Sequence, residues 1–202
     1  MTQELVEYRR MTAPGGQVRL SQGCLYQYVW ASNGIFIYSE NSDFRVLAPI
    51  KMWDEKEKSS QVRGLTPLFP YIHLNHSKVG TDVLMSLLTL SFYALPNEFL
   101  QYVYPHSSSW KVFVPDQKTS LVSCKARGTF AYCPIEMHSH NMMDAFFSTT
   151  DDAEETGLRI YAVVGHVNRP VVDIRVRVGI YGHFWTIPYE WIFESHPAVQ
   201  NA

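Results

Sequence analysis

Cysteine is scarce in this chain, and basic charge never accumulates. The three cysteines, Cys24, Cys124 and Cys133, form no CxxC pair and are odd in number, which argues against a disulfide framework or an all-cysteine zinc site. A reducing, intracellular setting fits best. No Lys/Arg block occurs, and 17 basic against 19 acidic residues leave a net charge of -2. Nothing therefore offers the phosphate-neutralising surface that a nucleic-acid partner needs. No apolar run reaches the length of about 18 residues that a membrane span requires. The opening "MTQELVEYRR" carries charges where a signal peptide has an apolar stretch, so the expected location is cytoplasmic, with no membrane partner. What is present is a 46% hydrophobic share of 202 residues, enough to bury a sizeable core as one domain or as one domain with an appended subdomain.

After a polar start ending in "APGG", the segments "CLYQYVW", "IFIYSE" and "FRVLAPIKMW" are rich in β-branched and aromatic residues between Asn/Gly/Asp punctuation, which predicts hairpin strands. "DEKEKSSQVRG" at 54–64 breaks the apolar pattern and reads as an exposed loop ending a β-rich extension. "TDVLMSLLTLSFYALP" from 81 has apolar residues at near-helical spacing. It predicts a buried helix with Thr81 or Asp82 as N-cap and Pro96 as its stop. Strand-like runs follow in "FLQYVY", "WKVFVP", "SLVSCKA" and "GTFAYCPIEMHSH", then a short acidic helix "STTDDAEETG" ended by Gly157. "LRIYAVVGHV", "VVDIRVRVGIYGHFWTI" and "YEWIFE" read as antiparallel strands.

Chemistry concentrates in "MHSHNMMDAFFSTTD", residues 137–151. Side chains alternate along a strand, so His138 and His140 share a face and can hold one ion. A catalytic zinc site needs a third protein ligand and an open position. Asp151 can supply it if the intervening loop folds back. The bland reading is that Ser148 and Asp151 are the N-cap and N3 residues of a capping box. Met142, Met143, Phe146 and Phe147 in that loop read as core more readily than as a substrate-facing surface. His73, His76, His106, His166, His183 and His196 have no comparable context and read as structural or surface residues.

HxH, seven residues, then SxxD resembles the signature of the JAMM metalloproteases, also called the MPN or JAB domain, at His138, Ser139, His140, Ser148 and Asp151. The resemblance implies an α+β, cytidine-deaminase-like fold over residues 65–202, a mixed β-sheet flanked by helices, with 1–64 as the N-terminal β-rich extension. It implies zinc on His138, His140 and Asp151, with Ser148 as donor to the oxyanion. The family's upstream glutamate follows its first long helix and matches Glu98 in "ALPNEFLQYVY", although Gln101 and Tyr104 stand where the family has glycines. Glu136, two residues before His138, is the competing base, or a support for a ligand. The implied activity is a zinc metallo-isopeptidase, deubiquitinase-like, cutting after the C-terminal glycine of a ubiquitin-like protein. Residues 130–187 are similar to the prokaryotic branch, notably to the PRTRC system protein A group. That group implies a ubiquitin-like substrate and a ThiF, activating-enzyme-like neighbour.

Three rival readings exist. A non-catalytic MPN-type scaffold would bind a ubiquitin-like partner without cutting it. A zinc nucleobase deaminase lacks its required H-x-E and P-C-x-x-C here. A cysteine hydrolase built on Cys133 near His138 has only an isolated cysteine, which is usually a small buried apolar residue.

Overall fold

The computed structural model describes residues 4–12, 18–54, 62–128, 130 and 132–202. The chain divides into two compact units, Met1–Asn75 and His76–Ala202. In the first, β1 (Val6–Arg10), β2 (Tyr26–Ala31), β3 (Gly34–Glu40), β4 (Phe44–Met52) and β5 (Tyr71–Leu74) form one sheet in that order. The β1–β2 pair is parallel and the others are antiparallel. Alternation buries Val29, Ala31, Phe36, Tyr38 and Leu47 with Met11 and Val18 as its core. Because β5 pairs with β4, this unit runs past the 64/65 boundary expected from the polar loop. Residues 55–61 of that loop lie outside the described residues.

The second unit begins with α1 (Thr81–Tyr93). Its N-cap is Gly80, with no side-chain cap, so neither Thr81 nor Asp82 takes the expected role. Its sheet contains β6 (Leu100–His106), β7 (Ser109–Phe113), β10 (Ile135–Ser139), β11 (Leu158–Gly165), β12 (Val172–Ile180) and β13 (His183–Ile187), in the order β13-β12-β11-β10-β6-β7. A short β14 (Val199–Asn201) also pairs with β12. The β10–β11 pair is parallel and β6–β10 antiparallel, so the sheet is mixed and the unit is α+β. "SLVSCKA" is the turn and second arm of a hairpin, β8 (Gln117–Ser120) with β9 (Ser123–Ala126). "YEWIFE" contains a 3-10 turn, Tyr189–Trp191, rather than a strand.

One face of β6 and β10 carries Gln101, Val103, Ile135 and Met137, all buried. Here α1 docks, with Gln101 Nε2 donating to Leu87 O and Ser91 Oγ at 3.1 and 2.9 Å. That polar anchor occupies a position where a glycine was expected. The opposite face carries Glu136 and His138. No helix among the described residues is long and apolar enough to cross a membrane.

Candidate metal centre

Strand register assembles the centre. His138 lies opposite Leu100 in the antiparallel β6–β10 pair, and Ser139 N donates to Phe99 O at 3.0 Å. Continuing that register puts Glu98 opposite His140, so both histidines and Glu98 share one face. Glu98 N donates to Ser120 O in the β8–β9 hairpin, which holds the approach to β6 in place. The loop after His140 turns back because Met143 and Ala145 press on the backbone of Gly165. A Cβ there would lie 2.4 Å from Met143 O and Ala145 N, a space only glycine leaves open.

That return brings in α2 (Thr149–Glu154), and both readings of Ser148 and Asp151 prove compatible. The two residues form a reciprocal capping box. Asp151 N donates to Ser148 Oγ at 3.2 Å, while Asp151 Oδ2 accepts from Ser148 N at 2.6 Å and from Ser148 Oγ at 2.7 Å. The other oxygen, Asp151 Oδ1, faces His138 Nε2 at 3.6 Å. The two histidine Nε2 atoms are 3.2 Å apart, and the donor atoms of the three residues all lie within 4.8 Å of one another. A tetrahedral ion with ligands at about 2.0–2.1 Å keeps its donors roughly 3.3 Å apart, so the His138–His140 and His138–Asp151 separations fit zinc, and all three donors fit it in kind. Ser148 Oγ spends its one proton on Asp151, so donation to an oxyanion requires the hydroxyl to turn.

Burial holds both imidazoles in their neutral, ligating form. Desolvation pushes the His138 pKa down against the opposing pull of Asp151, with His140 and Arg177 adding to the fall. Desolvation also lowers His140, again opposed by Asp151. Nδ1 of His140 is buried without a well-formed hydrogen bond, although the backbone of Asp144 lies close enough to favour its proton. Glu98 is 6% exposed. Burial first, then the Asp151 carboxylate, raises its pKa to about 7. Glu136, in contrast, is engaged by Arg159 at 2.5 Å. Desolvation raises its pKa while that guanidinium lowers it. The net displacement is upward, and the carboxylate is held by the Arg159 guanidinium on the face of β10 that also carries His138.

Three of the four large apolar loop residues are not core, while Phe147 is half-buried. Met142, Met143 and Phe146 are exposed, and the loop is tied by its backbone to the end of β11, where His166 N donates to Met143 O and Val167 N to Asn141 O. Phe146 instead stands edge-on to His140, ring centroids 4.5 Å apart, and Phe147 lies against Arg177. Two residues of this region had no sequence signal. Arg177 stands inside the strand-like run "VVDIRVRVGIYGHFWTI", where alternation alone gives it no partner. His166 is buried between Asp144 and Asp173, with its Nδ1 2.5 Å from Asp173 Oδ2, and only the fold brings those carboxylates to it. Cys133 is a buried member of an apolar cluster with Leu100 and Tyr102, and burial raises its pKa, which opposes a thiolate nucleophile.

No family model matches the chain, and no curated protein matches it. Among solved structures it is similar to a JAB1/MPN domain protein from Archaeoglobus fulgidus, at 16% identity and a TM-score of 0.34, over 55% of this chain and 93% of that one. A likeness of that size leaves the chemistry of the centre to be read from its own donors.

Proposed function

We propose that this chain is a zinc-dependent isopeptidase or peptidase of the JAMM type, acting on the bond after the C-terminal glycine of a ubiquitin-like protein. The observation that carries the reading is the convergence of His138, His140 and Asp151 donors on the sheet face that also holds the buried carboxyl of Glu98. The substrate class rests on the resemblance of residues 137–151 to the JAMM signature. A ThiF-like partner rests on the similarity to PRTRC system protein A.

When bound there, zinc supplies Lewis acidity to a carbonyl and acidifies water to a pKa near about 7. The chain's own groups do the rest. His138 and His140 are kept neutral and so present lone pairs. The capping box fixes Asp151 through Oδ2 and leaves Oδ1 toward His138. Glu98 has a carboxyl near neutrality, which suits a group that takes a proton from attacking water and returns it to the departing nitrogen. Ser148, once its hydroxyl turns from Asp151, can donate to the developing oxyanion.

The test is elemental analysis of the purified protein beside His138→Ala and Asp151→Ala, followed by cleavage of a fusion joined after a ubiquitin-like glycine tail. The expected result is near one zinc per chain in the parent as purified and well under one in either variant, with a residual weak affinity when Asp151 is the ligand removed. Glu98→Gln should keep its zinc and lose about 10²–10⁴-fold in turnover. Absence of zinc uptake, or undiminished cleavage by Glu98→Gln, overturns the proposal.

A further inference from the structure

The proposed ligand Asp151 sits on a helix that core packing does not position. None of the side chains of Thr149–Glu154 is buried, and the exposed Lys125–Glu154 pair, 2.7 Å apart, is too solvated to fix a helix. Among the described residues, one side chain of β12 makes the buried contacts to both ends of this segment. Arg177 is 5% exposed, and its guanidinium carbon lies 3.8 Å from the ring centroids of both Phe147 and Phe184. Its Nε donates to Glu155 Oε2 at 2.7 Å and its NH1 nitrogen to Asp152 Oδ1 at 2.5 Å. The grip begins at Phe147, immediately before the N-cap, and ends at Glu155, the C-cap. Ser148 and Asp151 lie between its points of contact.

Resting on the zinc reading, we propose that Arg177 is the positioning residue of the metal centre: it holds Asp151 at the distance from His138 and His140 that one ion requires, and the centre's affinity for zinc depends on it. Arginine is the residue type this task requires. A planar guanidinium can stack between two rings and bond two carboxylates in its own plane, whereas the ammonium of lysine is a point charge that cannot do both. Loss of an outer partner that orients a ligand typically costs about 10–100-fold in metal affinity.

The experiment measures zinc affinity by competition with a chromophoric chelator, and records the visible spectrum of the cobalt-substituted protein. The proteins are the parent, Arg177→Met, Arg177→Lys, Glu155→Gln and Asp151→Ala, with Arg177→Met also made in the Asp151→Ala background. Arg177→Met and Arg177→Lys should each weaken zinc binding by about 10–100-fold and alter the cobalt ligand-field bands. Glu155→Gln keeps the shape of the clamp and should weaken binding in the same direction, so a poorly folded Arg177 variant does not decide the matter. With Asp151 already absent, Arg177→Met should change the remaining affinity by less than about threefold. Parent-like affinity and spectra in folded Arg177→Met, or in Glu155→Gln if the arginine variants do not fold, would overturn the inference while leaving the zinc centre standing. So would an equal loss in the Asp151→Ala background. A parent protein that takes up no zinc removes both proposals together.

Discussion

In the metal-free protein, replacing Glu98 by glutamine should raise stability at alkaline pH. Glu98 is buried at 6% exposure, and its pKa is raised from 4.5 to about 7, chiefly by desolvation and secondarily by Asp151. A group whose folded pKa is raised contributes stability that is complete below the unfolded value and is lost as pH rises through the folded value. The window here is therefore about 4.5 to 7. At about 1.4 kcal/mol for each tenfold change in proton affinity, the full displacement is roughly 3 kcal/mol. Glutamine has nearly the same volume and no charge, and a buried amide without a partner costs about 1 kcal/mol or more. The expected gain at pH 8 is thus about 1–2 kcal/mol, falling to nothing or reversing at pH 5. Scanning calorimetry in a chelator, with the transition of the His76–Ala202 unit followed at both pH values, measures this. Equal stabilities at pH 8, or a gain that persists at pH 5, would refute a desolvated and charge-repelled carboxylate at this position.

Two further substitutions test the supports of the centre. Ser148→Ala removes the hydroxyl that both caps α2 and binds Asp151 Oδ2. It should weaken the start of the helix by about 0.5–2 kcal/mol and zinc affinity by about tenfold or more; parent affinity in a chelator competition would show that Asp151 is held without its cap. Arg159→Met strands Glu136 in a site where each partner's side chain is only 18–20% exposed. It should cost about 3 kcal/mol at pH 8, the lower end for breaking a buried pair, and Glu136→Gln added to it should restore most of the loss in urea unfolding.

The readable parts of the sequence were those whose physics is local. The strands from Tyr26 to Met52 follow β-branched and aromatic runs punctuated by turns, and α1 follows helical spacing. His138 on β10 and His140 just past its end needed only strand alternation, and the capping box needed only a serine three residues before an acid. β1, β5 and β14 have no strong pattern of their own and exist because a neighbouring edge accepts them. Gly157 does not end α2; the helix stops at Glu155, whose carboxylate is taken by Arg177. The exposed placement of Met142, Met143 and Phe146 depends on the backbone contact at Gly165. Apolar identity alone cannot report such a contact. Arg177 and His166 were silent for the same reason, since their partners are distant in sequence and meet only across strands.

The division of labour within one carboxylate has a thermodynamic consequence. Asp151 closes the cap of α2 with Oδ2 and faces His138 with Oδ1, so under the zinc proposal ordering of the helix start and uptake of the ion draw on the same carboxylate. Such sharing makes the two equilibria reciprocal: whatever favours the wound first turn favours the ion, and by the same factor the ion favours the wound turn. The amide protons of Asp151 and Asp152 would then act as a built-in gauge of occupancy, exchanging slowly in the loaded chain and faster in the empty one.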